Sequence, residues 1–365
     1  MVYQALFDRV LVRTDPEWAH HWAFTSLQAA FRLPGVAQAY SAGARAFAPE
    51  LALDALGLHF RSPLGVAAGL DKNANWVAEL GALGFGAVEI GTVTPVGQPG
   101  NPTPRVARVP ADRALVNAMG FPNEGAVAVA ARLPGRAAPG GVGGAPVLGA
   151  NIGKNRDTPL ERAAEDYAAV AAALAPRCDY MVLNVSSPNT PGLRSLETVG
   201  GLAPIVAAVK PRIGELPLLV KISPDLADAD VDAVADLVLA ERLAGVVATN
   251  TTVDRGVLTE PGRAQIAGFT AGGISGVPLR ERSLTVLARL YSKLQGSGAI
   301  AVSVGGVTGA ADVWERILGG ATLVQAYTGF VYGGPAWPAR VNRELAARVR
   351  AAGVASIGEL VGVGV

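Results

Sequence analysis

The chain has 365 residues, 50% of them hydrophobic and 17% charged, and its 31 Lys+Arg against 30 Asp+Glu give a formal net charge of +1. That balance excludes a broad electrostatic nucleic-acid binder, which needs a basic excess. Gly 45 and Pro 25 make up about a fifth of the chain, below the roughly 25–30% of low-complexity polymers, so one large core is expected. Cys178 is the single cysteine and His20, His21 and His59 are the only histidines, which excludes a disulfide framework and a Cys/His zinc site; no metal is expected. One thiol and no signal peptide fit a reducing cytoplasm. The least charged run, 321–339, is interrupted by Gln325, Gly333, Gly334, Pro335 and Pro338, so no membrane span is expected.

In chain order, the first ~45 residues carry no strand pattern. They are rich in aromatics: Tyr3, Phe7, Trp18, Trp22, Phe24, Phe31 and Tyr40, with Phe47 just beyond. Trp18 and Trp22 are four apart, as are His20 and Phe24, so each pair shares a helix face. Two readings stand: scaffold helices covering one end of a barrel, or an amphipathic platform at a lipid surface.

Beyond this segment, eight short apolar runs alternate with helical patterns. They are Leu64–Leu70, Ala87–Val93, Pro146–Ile152, Tyr180–Ser186, Pro217–Ser223, Gly245–Thr251, Ala299–Gly305 and Ala321–Thr328. Most are apolar on both faces, as parallel strands covered by helices are. Thr158–Ala175 and Asp225–Leu239 read as amphipathic helices, the second with Asp225, Asp228 and Asp230 in its first turns. The order predicts a (β/α)8 TIM barrel, with a doubly wound open sheet as the alternative. The Gly/Pro/Ala run Leu133–Pro146 reads as a loop or hairpin.

Polar residues gather where the predicted strands end, which is where barrels carry chemistry. Nine of eleven Asn lie in or beside these segments, at 73, 75, 117, 123, 151, 155, 184, 189 and 250. Their donor–acceptor pairs suit a planar ligand rich in amide and carbonyl groups. Only five Lys occur, and Lys72, Lys154 and Lys221 follow strands, while Lys210 and Lys293 have no assigned role. An ammonium there can pair a carboxylate or stabilise a developing anion. Gly305-Gly306 and Gly329 fit a backbone phosphate cradle, and Gly272-Gly273-Ile274-Ser275-Gly276 reads as another Gly-rich turn. The barrel region after Leu64 holds no His, so Ser187, Lys72, Lys221, Cys178 and carboxylates are the acid–base candidates; Cys178, before the fourth strand, reads as core.

Several of these segments together resemble the dihydroorotate dehydrogenase family, in its membrane-associated, quinone-dependent class 2. They are Ala67-Ala68-Gly69-Leu70-Asp71-Lys72, Gly91-Thr92-Val93-Thr94-Pro95, Gly100-Asn101-Pro102, Asn117-Ala118-Met119-Gly120-Phe121 and Asn151-Ile152-Gly153-Lys154-Asn155. They continue with Asn184-Val185-Ser186-Ser187-Pro188-Asn189-Thr190-Pro191-Gly192-Leu193-Arg194, Thr249-Asn250-Thr251-Thr252, Gly272 to Gly276, and Ser303-Val304-Gly305-Gly306-Val307. The resemblance implies a barrel carrying one FMN per chain that oxidises dihydroorotate to orotate in pyrimidine biosynthesis, passing a hydride to the flavin and electrons on to a membrane quinone. Ser187 is the implied base, a position that is Cys in class 1, with Thr190 and Phe121 in its proton relay. Lys72, Asn117, Ala118, Met119, Gly120, Phe121, Asn184, Asn189, Asn250 and Thr251 are the implied substrate set, with Lys72 pairing the carboxylate. The implied FMN set is Ala68, Gly69, Leu70, Asp71, Lys72, Thr92, Asn151, Asn184, Lys221, Thr249, Gly276, Gly305, Gly306, Tyr327 and Thr328.

Asp15-Pro16-Glu17-Trp18-Ala19-His20 resembles the start of the class 2 extension, which implies a quinone tunnel with His20, Arg108 and Tyr327 at the head group. The expected organisation is an extension over 1–45 and a catalytic barrel over 46–365. The expected state is a monomer, peripheral on the cytoplasmic side of the cell membrane, touching lipid through its N-terminal helices and binding no nucleic acid. Two positions depart from the family pattern: Ala118 stands where Arg is usual, and Pro122-Asn123 where two Asn are usual.

Overall fold

Each of the eight apolar runs contains a strand in the computed structural model of the chain, which describes residues 2–33, 35–36, 48–135 and 145–365. The strands are β1 (Leu64–Val66), β2 (Ala87–Val93), β3 (Val147–Ile152), β4 (Tyr180–Asn184), β5 (Leu218–Ile222), β6 (Gly245–Ala248), β7 (Ile300–Val304) and β8 (Leu323–Ala326). Neighbours in sequence are neighbours in space, every pair is parallel, and β8 closes on β1 through Val324–Leu64, Gln325–Gly65 and Ala326–Val66. A closed (β/α)8 barrel therefore replaces the open-sheet alternative. Strand β2 is buried at all seven positions, which is why it lacks polar alternation. Inside the barrel, the Tyr180 ring fills the space where a Cβ on Gly149 would lie 2.2 Å away, so β3 carries glycine at that level.

The strands are shorter than their apolar runs at the mouth. After Val66 the chain leaves the sheet, and the Gly69 N–H donates to the Gly91 carbonyl at 2.7 Å, tying the loop after β1 to β2. The helix expected from Thr158 begins as a 3-10 turn, Leu160–Arg162, and becomes α-helical over Ala163–Leu174. The helix expected from Asp225 starts instead at Asp228 and ends at Ala240. The physical reason is that the Asp225 carboxylate is engaged elsewhere, by Arg194 at 2.7 Å, by the Val253 N–H at 2.9 Å and by the Thr252 hydroxyl. Asp228, Asp232 and Asp236 then line up one turn apart and meet Arg282, Arg289 and Lys293 of the helix Arg280–Leu294. This gives Lys293 its role, and Lys210 ties its helix to the Glu241 carbonyl at 2.8 Å.

The segment Gly272–Gly276 is not a turn. Gly273–Gly276 is a strand, antiparallel to Ala114–Asn117, which pairs in turn with Val106–Val109. Glycine is needed here because a Cβ at Gly273 would stand 1.9 Å from the Thr251 Oγ1. This small sheet is built over the barrel mouth.

The N-terminal segment forms helices α1 (Val2–Arg9) and α2 (Pro16–Phe31). Helix α2 starts with a strong signal: Pro16 takes the first turn, and the Asp15 carboxylate accepts the Trp18 N–H at 2.8 Å. Its inner face stacks Phe24 on Trp76 at 4.5 Å, and α1 sets Phe7 against Tyr332 at 4.7 Å. Its outer face presents Trp18 and Trp22, each more than half exposed and stacked at 6.1 Å. Tyr40, Phe47 and the expected boundary at 45 lie outside the described residues, as does 136–144 of the expected loop Leu133–Pro146.

Candidate active site

The mouth of the barrel encloses a cavity into which the strand ends and the overlying small sheet both project. Its floor is a polar network built from the barrel interior. On β2, Glu89 is fully buried and accepts Asn151 at 2.8 Å and Gln325 at 2.6 Å. Asn151 in turn accepts Thr92 at 2.5 Å and Asn184 at 3.0 Å, and Asn184 also donates to Thr92 at 2.8 Å. Each amide thus has its orientation set by a neighbour, so the floor is preorganised before any ligand arrives. Lys221 is 4% exposed beside Glu89; burial lowers its pKa, and the Glu89 charge opposes that shift.

One side of the cavity collects amides and a cation. Asn189 donates to both the backbone and side-chain oxygens of Asn117, at 3.1 Å each. Asn250 donates to the Ser186 hydroxyl at 2.9 Å, leaving its neighbour Ser187 facing the cavity at 5% exposure. The Ser187 Oγ accepts the Asn189 N–H at 3.2 Å. Lys72 is held over this group by donating to the Gly69 carbonyl at 2.7 Å. Burial is the main cause that lowers its pKa, to about 8. The loops carrying these residues are locked by Arg194, which donates to the Ser186 carbonyl at 3.2 Å, the Thr251 carbonyl at 2.8 Å and Asp225.

The opposite side is backbone. Gly276, Gly305 and Gly306 have φ of +100°, +116° and +72°, and a Cβ on Gly306 would lie 2.5 Å from the Arg280 Cα. Side chains are excluded there, which leaves a pocket end suited to an anion cradled by N–H groups. The hydroxyls of Thr249 and Thr251 and the Gln325 carbonyl oxygen are buried without a partner among the described residues, and all three residues line the cavity. Such groups need partners that a polar planar ligand can supply.

Most of the residues expected from sequence meet at this cavity. Ala68, Gly69, Lys72, Thr92, Asn117, Met119, Gly120, Phe121, Asn184, Ser187, Asn189, Lys221, Thr249, Asn250, Thr251, Gly276, Gly305, Gly306, Tyr327 and Thr328 all line it. Leu70 does not; it is 1% exposed in the core. Asp71 is also behind the wall, where its carboxylate accepts the Asn75 and Trp76 N–H groups at 2.8 Å each and shapes the loop that carries Lys72. Asn151 supports the floor from beneath. Ala118 contributes backbone, its N–H bonded to the Arg105 carbonyl at 2.7 Å. Thr190 is buried and does not line the cavity, and its Oγ1 has no partner among the described residues. Cys178 is buried in the core, as expected.

Of the nine Asn expected at the mouth, four line the cavity: Asn117, Asn184, Asn189 and Asn250. Asn73, Asn123 and Asn155 hold loops instead. Asn123, beside the departure at Pro122, accepts the Thr94 and Gly125 N–H groups at 3.2 and 2.9 Å and shapes the short strand Asn123–Gly125. Lys154 points away from the cavity and donates to the Thr158 carbonyl at 2.7 Å, closing its own loop.

Of the three residues expected at the quinone head group, Tyr327 lines the cavity, whereas His20 on α2 and Arg108 on the small sheet are not among its lining residues. The His20 ring lies 4.9 Å from Phe24 and 5.3 Å from Trp76. Burial pulls its pKa down to about 3, so the imidazole is neutral. Arg108 donates to the Thr14 carbonyl at 2.7 Å, and burial lowers its pKa as well.

Sequence reasoning missed Glu89, Gln325, Asp225 and Glu197. A charged residue inside a fully apolar strand was the available signal for Glu89. Glu197 accepts the Ser223 N–H at 2.6 Å and is pushed up to about 7 by burial; nothing in the local pattern marked it.

Comparison with known proteins agrees with this geometry. The family model described as dihydroorotate dehydrogenase matches residues 50–349. The chain is 50% identical to dihydroorotate dehydrogenase (quinone) of Thermobifida fusca, covering 100% of this chain and 97% of the relative. It is 50% identical to the protein of that name from Rhodococcus erythropolis, over 99% of both chains. Among solved structures, the crystal structure of DHODH from Eimeria tenella in complex with ferulenol superimposes with a TM-score of 0.83 at 33% identity, covering 96% of this chain and 95% of that one.

Proposed function

Because the chain belongs to the dihydroorotate dehydrogenase family, we infer that it oxidises dihydroorotate to orotate in pyrimidine biosynthesis, with a quinone as electron acceptor. The observation that carries the residue assignment is the two-sided cavity: a cation and three amides with Ser187 on one side, a side-chain-free glycine end on the other, and Asn184 in the floor.

FMN is the cofactor that this cavity fits. Its phosphate suits the Gly276, Gly305 and Gly306 end, and its ring edge suits the unpartnered Thr249 hydroxyl and Gln325 carbonyl oxygen and the buried Lys221 ammonium that lines the cavity. Bound FMN supplies the two-electron acceptor for the substrate hydride. The residues of the chain then have distinct tasks. Lys72 pairs the substrate carboxylate, and Asn117, Asn189, Asn250 and Thr251 meet the amide and carbonyl edges of the pyrimidine ring. Ser187 takes the proton from the carbon beside the one that loses hydride. A serine hydroxyl is a weak base in water, so the proton must move on to buried Thr190, and Phe121, at φ +54°, screens the site. Lys221, which lines the cavity, would hold the ring edge of bound FMN and supply a cation beside it.

His20, Arg108 and Tyr327 line the approach for the quinone head group under α1 and α2. His20 acts there as a neutral hydrogen-bonding ring rather than as a cation. The extension over 1–45 serves quinone access and lipid contact, the barrel over 46–365 serves substrate oxidation, and the protein is a monomer bound peripherally at the cytoplasmic face. Among the described residues no helix is long and apolar enough to cross a membrane, so attachment rests on the outward face of Trp18 and Trp22.

The test is optical. Purified protein should be yellow, bleach on anaerobic addition of dihydroorotate and recolour on addition of a quinone. A folded, colourless protein that binds no FMN when reconstituted overturns the cofactor assignment. Bleaching by dihydrouracil as readily as by dihydroorotate overturns the role of Lys72, since only dihydroorotate brings a carboxylate.

A further inference from the structure

We propose that Glu17 of α2 and Arg105, which immediately precedes the strand Val106–Val109, form a positioning bridge through which the N-terminal helices set the affinity for dihydroorotate. This inference rests on the assignment of Asn117, Asn189 and Lys72 to the substrate.

Glu17 and Arg105 are 88 residues apart in sequence and meet as a fork on a carboxylate. The Arg105 Nε donates to both Glu17 oxygens at 3.1 and 3.0 Å, and Nη2 donates to one of them at 2.9 Å. The pair is mostly shielded, with the Arg105 side chain 14% exposed and the Glu17 side chain 29%. Bidentate geometry with partial burial distinguishes it from an ordinary surface pair.

Arg105 uses its remaining terminal nitrogen on the loop before it. Nη1 donates to the Pro99 carbonyl at 2.6 Å and the Asn101 carbonyl at 2.9 Å. Asn101 then carries the connection into the site: its amide donates to the Ala118 carbonyl at 2.9 Å and to the Asn189 carbonyl at 3.1 Å. Asn189 is bonded to Asn117 and to Ser187. The route has no slack, since a Cβ on Gly100 would lie 2.4 Å from the Met119 carbonyl and one on Gly120 would lie 2.7 Å from the Asn101 amide. Helix α2 is therefore joined to the substrate amides through one guanidinium and one amide.

A second effect acts through charge. The groups facing Lys72 are Glu17 and Arg105, Asp71 from its own loop, and His20 from α2. Burial lowers the Lys72 pKa most; Glu17 and Asp71 oppose this, and Arg105 adds to it. Loss of the Glu17 charge leaves Arg105 uncompensated beside Lys72, so the ammonium loses its proton at lower pH.

The experiment uses full-length holoenzyme in detergent with a soluble dye as acceptor, so that quinone access does not enter. The KM for dihydroorotate and kcat are followed between about pH 6 and 9. Glu17→Gln is expected to raise KM roughly tenfold, the size of a lost charge-assisted hydrogen bond, with kcat within about twofold. The alkaline fall in kcat/KM should move to lower pH. Arg105→Lys keeps the charge but not the fork; it should raise KM and leave the alkaline limb in place. Unchanged KM and an unchanged pH limb in Glu17→Gln overturn the proposal. If that variant does not fold, Arg105→Lys decides by the same KM criterion. Asn189→Ala separates the two levels. If it raises KM while Glu17→Gln does not, only the bridge is wrong; if it leaves KM unchanged, the substrate assignment itself fails.

Discussion

The barrel mouth and the N-terminal helices treat polar and apolar groups in opposite ways. At the mouth, Glu89, Asn151, Asn184 and Thr92 are buried and bonded to one another, each oriented by its neighbour. On α2, Trp18 and Trp22 are turned outward; they stack on each other, yet each leaves more than half of its apolar surface in water. A buried polar network is costly unless complete, so the barrel holds its geometry rigidly. The helices are held by Phe7, Phe24 and a few polar bonds, among them Tyr3 to the Val331 carbonyl at 2.7 Å. The contrast teaches that the barrel mouth is preorganised by its own polar network, whereas α2 leaves an aromatic face open to solvent.

The sharpest way to break this comparison is at Ser187. Ser187→Ala should slow reduction of the bound flavin by dihydroorotate about 10²–10⁴-fold, the usual worth of a positioned acid–base group, and leave orotate binding in place. Stopped-flow absorbance measures it, and unchanged kinetics remove Ser187 as the base. A smaller effect is expected outside. Replacing Trp18 and Trp22 together by Ser should weaken binding to phosphatidylcholine/phosphatidylglycerol vesicles roughly tenfold, while flavin reduction by dihydroorotate and the unfolding temperature stay near those of the parent. Loss of dihydroorotate turnover in that variant would show that the two regions are not separable by function.

The smallest effect tests where the regions meet. His20 has its pKa lowered from 6.5 to about 3, chiefly by burial, with the Lys72 charge adding to it. A lowered histidine pKa means the native ring resists protonation while the unfolded ring accepts it. Its contribution to stability is therefore complete above about pH 6.5 and falls away as the pH drops toward 3. NMR of the His20 ring should show no titration between pH 8 and 5; a midpoint near 6.5 would mean that water reaches the ring beneath α2.

Much of this molecule is legible in its sequence, and the part that is not has a common cause. All eight barrel strands, the Trp18–Trp22 and His20–Phe24 faces and the chain of polar strand ends follow from local periodicity, because burial on both faces or on one imprints itself residue by residue. The positive φ of Gly305 and Gly306 is likewise a local demand, although what crowds Gly306 is Arg280. The tertiary structure alone decided that Asp225 serves Arg194 rather than a helix start, that Gly273–Gly276 pairs as a strand, that five of the nine mouth Asn do not line the cavity, and that Asp71 supports Lys72 from behind. It also decided that Glu17 reaches Arg105 across 88 residues. Apart from the local turn at Asp71, each of these depends on a side-chain or backbone partner distant in sequence, and a hydrogen bond or ion pair between distant segments leaves no periodic trace in either one.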